Sequence, residues 1–126
     1  MEEETFLIRL QTELDSLPVV DVAVALDYAL NDRELLSELV LRYLEVTGER
    51  VREMQQACDA GALDQVRRTA HAMKGGSYYV GAMRMIALVQ ALQLQEDSKI
   101  AGQLIRWVAE EYASLQRQYR ELKIIA

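Results

Sequence analysis

Apolar residues recur every three or four positions from Phe6 to Leu122, and almost nothing interrupts them. Such spacing places them on one face of successive α-helices. The chain has one proline, Pro18, and six glycines, too few turn formers for a β-sandwich or barrel. No stretch of useful length alternates with period two, so no sheet is expected. The spacing predicts a short amphipathic helix over 4–16 (Phe6, Leu7, Leu10, Leu14, with Leu17 beyond) that ends before Pro18, because proline disfavours helix in the residue ahead of it. Asp21 is suited to cap a brief helical piece through Ala29. A long helix is predicted over 32–59, opening on Asn31-Asp32-Arg33-Glu34, with room for a bend or break at Gly48. Gly61 suits a left-handed C-cap. Further helices are predicted over 62–79, 82–96 and 98–122, divided by Gly81 and by the capping run Glu96-Asp97-Ser98. Short connections between long amphipathic helices imply antiparallel neighbours. The expected fold is all-α: one domain over 1–126, an antiparallel up-down four-helix bundle with a short N-terminal helical cap.

Composition narrows the chemistry. The 126 residues hold one Cys and one His, so a zinc cage of four such ligands is excluded. A single Cys also excludes an intrachain disulfide, as suits a reducing compartment. The net charge of −6 argues against generic nucleic-acid binding. No apolar run reaches the roughly 20 residues a membrane span needs, and the start Met1-Glu2-Glu3-Glu4 is acidic where a signal peptide is basic. A soluble cytoplasmic monomer is expected, with no nucleic acid or membrane as partner. Neither a G-x-x-x-x-G-K-[ST] nor a G-x-G-x-x-G pattern occurs, so no nucleotide site is expected. Cys58 reads as an inert buried thiol, Met54, Met73, Met83 and Met85 as core filler, and Trp107 as a packing residue of the last helix.

One segment stands apart. Around a helix at about 100° per residue, Leu63, Val66, Ala70, Met73, Ser77 and Val80 form a core stripe, and His71 lies outside it. Arg68, Lys74, Gly75 and Tyr78 are the surface neighbours of His71. Gly75-Gly76 costs about 2 kcal/mol of helix propensity against alanine. The physical use of such a gap is access, because another protein can come close to the imidazole where no Cβ stands. Arg67, Arg68, Lys74 and Arg84 against Asp64 make residues 64–84 an island of +3 in a chain whose remainder carries −9. These cations are suited to stabilise a dianionic phosphoryl group on the ring. A Ser-His-Asp hydrolase is disfavoured, since a helix-flank histidine among cations lacks the orienting acid.

The run His71, Ala72-Met73, Lys74-Gly75, Gly76, Ser77, Tyr78-Tyr79-Val80, Gly81-Ala82 resembles the signature of histidine-containing phosphotransfer (Hpt) domains, and Gln93, 22 residues after the histidine, matches a helix-borne Gln or Glu of that family. Gly76 departs from it, standing where Ser or Ala is common, and so does Tyr78-Tyr79, which replaces a smaller pair. The resemblance implies a phosphoprotein of two-component signal transduction. It is a carrier that takes a phosphoryl group from a receiver-domain aspartate, or from a kinase, and passes it to another receiver. It implies His71 as phosphoacceptor through Nε2, Lys74 as neutraliser of phosphoryl charge, and Gln93 as the residue that orients the ring. Gly75, Arg68, Tyr78, Arg67 and Arg84 fall on the implied receiver-docking surface, while Ser77 and Gly81 are implied to be structural. The implied partners are response-regulator receiver domains and a sensor or hybrid histidine kinase. Mg2+ is expected on the receiver and no cofactor on this chain. Two other readings stand beside it: a helical adaptor that docks receivers without chemistry, and the phosphoacceptor fragment of a larger chemotaxis-type or hybrid kinase.

Overall fold

The computed structural model describes residues 2–126, and within them the chain is all-helical, with no strand. Six helices follow in order: α1 (Glu2–Asp15), α2 (Val22–Tyr28), α3 (Arg33–Asp59), α4 (Leu63–Tyr79), α5 (Met83–Gln93) and α6 (Ser98–Glu121). Three of them begin at an aspartate. Asp21 accepts a hydrogen bond from Val24 N, Asp32 from Glu34 N and Leu35 N, and Asp97 from Lys99 N and Ile100 N. Each satisfies backbone donors that a first helical turn leaves without partners.

Helices α3, α4, α5 and α6 form a closed ring in which α3 packs on α4, α4 on α5, α5 on α6, and α6 on α3. The connections 60–62, 80–82 and 94–97 are long enough only to reverse the chain. Val40, Met54, Val66, Ala70, Met85, Leu92, Leu104, Val108 and Leu115 fill the interior. Helix α2 lies against α3 and α4, burying Ala25. Helix α1 buries only Leu10 and Leu14. Among the described residues no helix is long and apolar enough to cross a membrane.

Several expectations are corrected. Helix α5 ends at Gln93, not at 96. The chain leaves the helix at Leu94 so that Gln95 Oε1 can accept from Asp97 N and Asp97 can cap α6. Helix α3 runs unbroken through Gly48. That glycine makes room for Tyr112: a Cβ there would lie 2.8 Å from the Tyr112 hydroxyl, which donates to the Leu44 carbonyl at 2.7 Å. Phe6 is exposed, and Leu63, Met83 and Cys58 are only half-buried. They lie at the margins of helix faces that the neighbouring helices do not fully cover.

Gly61 and Gly81 adopt positive φ, +73° and +64°. The turn at Gly81 also needs the absence of a side chain, because a Cβ would run into the Asp21 carbonyl oxygen. Asp21 N donates to the Gly81 carbonyl at 2.8 Å, which fastens the start of α2 to the α4–α5 turn. The same end of α4 is held from a second side: the Tyr119 hydroxyl of α6 donates to the Val80 carbonyl at 2.6 Å.

Candidate functional site

Helix α4 turns Val66, Ala70, Met73, Ser77 and Val80 inward. At about 100° per residue the opposite face then carries Arg68, His71, Gly75 and Tyr78; His71, Gly75 and Tyr78 stand in solvent, with Arg68 beside them. Two helices brace this face from behind. On the α3 side, the Tyr43 hydroxyl and Ser77 Oγ are 2.9 Å apart, and Ser77 Oγ also donates to the Met73 carbonyl at 2.9 Å. Burial pushes the Tyr43 phenol up to about 12, so it remains a neutral donor. Ser77 thus acts inside the bundle, tying α4 to α3.

On the α5 side, Gln93 Nε2 lies 2.8 Å from His71 Nδ1. The side-chain amide of Gln93 and the imidazole of His71 therefore hold each other across the α4–α5 junction. With the amide nitrogen toward the ring, Nδ1 accepts and the ring proton sits on Nε2. Turning the amide over presents its oxygen at the same point. Nδ1–H then donates, and Nε2 keeps a free lone pair. One contact thus serves both the resting ring and a ring whose Nε2 acts as nucleophile.

A shallow depression beside the ring is lined by Asp64, Arg67, Arg68, His71 and Gln93. Arg68 donates to Gln65 at 2.8 Å along its own helix. Arg67 pairs with Asp64 and donates to the Gln95 carbonyl at 3.3 Å, joining α4 to the α5–α6 connection. Lys74, half-buried one turn after His71, has no hydrogen-bond or ion-pair partner among the described residues. Its ammonium group is free to meet an anion on the ring. Around Gly75 a Cβ would meet nothing within 4 Å. His71 and Gly75 are both exposed, so the surface beside the imidazole is open at this position.

Arg84 does not join this group. Its Nε donates to the Leu17 carbonyl at 2.8 Å, and it lines a crevice with Gln11, Leu14, Trp107 and Glu111. The new helix that begins after Gly81 turns Arg84 toward α1 and α6. The +3 island counted along the sequence is therefore divided in space. Tyr78 is exposed, and its hydroxyl lies 3.5 Å from Gln90 Nε2 on α5. Sequence reasoning missed Tyr43 and Glu111. Tyr43 sits on the inward stripe of α3, a position that signals burial but names no partner on another helix. Among the described residues no three His, Cys, Asp or Glu side chains come together as a metal site.

The sequence profile of the Hpt domain matches residues 38–118, well over half of the chain. The chain belongs to the Hpt domain family. Hpt domains are phosphocarriers of phosphorelays, where they interact with receiver domains and kinases. The fold of this Hpt domain is similar to the crystal structure of histidine-containing phosphotransfer protein B (HptB) from Pseudomonas aeruginosa PAO1, with a TM-score of 0.69 and 26% sequence identity over 84% of this chain and 95% of that one. No curated protein matches the chain.

Proposed function

We propose that this Hpt domain relays a phosphoryl group through Nε2 of His71. The observation that carries this reading is the pairing of an exposed His71 with Gln93 at Nδ1, which leaves the other ring nitrogen toward solvent. In the forward step Nε2 attacks the phosphorus of a receiver's aspartyl phosphate. The N–P bond forms as the acyl O–P bond breaks, and the aspartate leaves as a carboxylate. Nδ1–H donates to the Gln93 amide oxygen throughout, so the ring sheds no proton in the step. Lys74 offsets the charge of the phosphoryl oxygens, with Arg68 and Arg67 at the edge of the same depression. The reverse step delivers the group to a second receiver.

Gly75, Arg68, Tyr78 and Arg67 belong to the docking surface in this reading; Arg84 does not. In this reading the chain acts as a carrier, not as an enzyme with turnover of its own. The divalent cation that assists transfer resides on the receiver. The carrier works as a cytoplasmic monomer between a sensor or hybrid kinase and a response regulator.

The test is incubation of the chain with purified receiver domains phosphorylated on aspartate with 32P. An acid-labile, alkali-stable label that vanishes in His71→Gln is the expected result. Receiver binding with no label on the wild type would leave a docking adaptor instead.

A further inference from the structure

On the flank of the same helix, α3 and α4 enclose a groove of about 250 Å3 lined by Leu39, Arg42, Tyr43, Val46, Gly76 and Tyr79. Its walls are largely apolar, and two of them stand in solvent, Val46 at 41% and Tyr79 at 54% exposure. The Tyr79 wall is held in place, because its ring meets Tyr28 edge-on at 4.9 Å and 72°. The floor is Gly76. A Cβ there would reach 3.4 Å from Tyr43 Cδ1, and the Tyr43 ring has little freedom to retreat, being buried and tied through its hydroxyl to Ser77.

The fold itself does not call for glycine at this point. Gly76 lies within α4, and no left-handed backbone conformation requires it, since the glycines with positive φ are Gly61 and Gly81. Alanine would fit at the edge of close contact and would favour the helix by about 1 kcal/mol. What glycine supplies is depth in the groove. Gly76 follows His71 by five residues, about 7.5 Å along the helix axis. Those five residues also turn the helix by about 140°, so a partner with an ordinary interface, about 800 Å2 a side, reaches both the imidazole and the groove by spanning the solvent face of α4 toward α3.

We propose that the groove floored by Gly76 is a socket for one large apolar side chain of the docking receiver, and that the missing Cβ at 76 selects among receivers. This deepens the phosphocarrier reading and rests on it. The occupant is a receiver and not a second copy of this chain on grounds of charge. Arg42 stands at the rim without a hydrogen-bond or ion-pair partner among the described residues, and Arg68 and Lys74 flank the histidine on the same helix. The complementary surface is thus an apolar knob beside acidic groups, whereas two copies would bring these cations together.

The experiment measures phosphotransfer from phosphorylated receiver domains of the source organism over a range of receiver concentration, for the wild type, Gly76→Ala and Val46→Glu. Gly76→Ala should raise the apparent KM by about tenfold for at least one receiver, with a melting temperature no lower than the wild type. Val46→Glu, on the exposed wall, should raise it for the same receiver, and it decides the matter alone if Gly76→Ala fails to fold. Apparent KM values within about twofold of the wild type for every receiver would overturn the socket and leave the carrier standing. A wild type that sediments as a dimer, and a Gly76→Ala that sediments as a monomer, would assign the groove to a second copy instead. A wild type that takes phosphate from no receiver would remove the carrier reading and the socket with it.

Discussion

The Gln93 side-chain amide lies 2.8 Å from His71 Nδ1, joining the α5 edge to the exposed face of α4. It limits rotation of the ring and serves either tautomer. Gln93→Ala should lower the maximal rate of transfer to or from His71 by about tenfold while changing the apparent KM for the receiver far less. Gln93→Glu keeps an acceptor at Nδ1 and should retain most of the rate. The 15N chemical shifts of the imidazole separate positioning from folding. Gln93→Ala should alter the balance of the two neutral tautomers, and Gln93→Glu should favour the form protonated at Nδ1.

Ser77 and Tyr43 share a buried hydrogen bond at 2.9 Å. Removing Ser77 Oγ leaves the buried Tyr43 hydroxyl without this partner. Ser77→Ala should cost about 1–2 kcal/mol in urea unfolding. Tyr43→Phe should cost less, because Ser77 retains the Met73 carbonyl.

Gly48 and Tyr112 interlock where α3 meets α6. A methyl group at 48 has better helix propensity but would sit 2.8 Å from the Tyr112 hydroxyl. Gly48→Ala should therefore destabilise the fold by about 1–2 kcal/mol. In a Tyr112→Phe background the penalty should shrink, since the oxygen in the way is gone. A double-mutant cycle by thermal unfolding reads this coupling directly.

Glu111 is buried on α6, and its Oε2 lacks a hydrogen-bond partner among the described residues. Burial pushes its carboxyl up from 4.5 to about 7, and the nearby Arg84 guanidinium only partly opposes this. Between these values the folded state holds a proton that the unfolded state has released. The stability contributed by this group is fully present below about pH 4.5 and is lost as pH rises through about 7. Glu111→Gln should remove that slope and be more stable than the wild type above pH 7 by about 1–2 kcal/mol. Urea unfolding at a series of pH values checks it.

Features that depend on one helix alone are readable from the chain. The caps at Asp21, Asp32 and Asp97 are local hydrogen bonds, and the exposure of His71 beside Gly75 follows from the turn of α4. Features that depend on how helices meet are not readable from spacing. Tyr43 and Ser77 are 34 residues apart, and Tyr112 meets α3 across 68. Periodicity marks such residues as inward-facing without naming what they touch. Gln93 stands out by family resemblance, not by spacing. Arg84 shows the opposite failure: it counts with its neighbours in sequence, but the new helix after Gly81 turns it away from them. The end of α5 differs from expectation because the chain leaves that helix to reach the Asp97 cap, a demand made by the following element.

The bond between Asp21 and Gly81 bears on what can be cut away. The segment recognisable as Hpt spans 38–118, yet α2 lies outside it and is stitched to the turn that closes α4. Val20, Ala25 and Ala29 are buried on that side, and at the other end Tyr119 is fully buried with its hydroxyl on Val80. Trimming to the recognisable borders would remove both contacts that hold the C-terminal end of the helix that bears His71. The cooperative unit is thus wider than the family signature, and the precision of the histidine's placement is underwritten by residues that no signature contains.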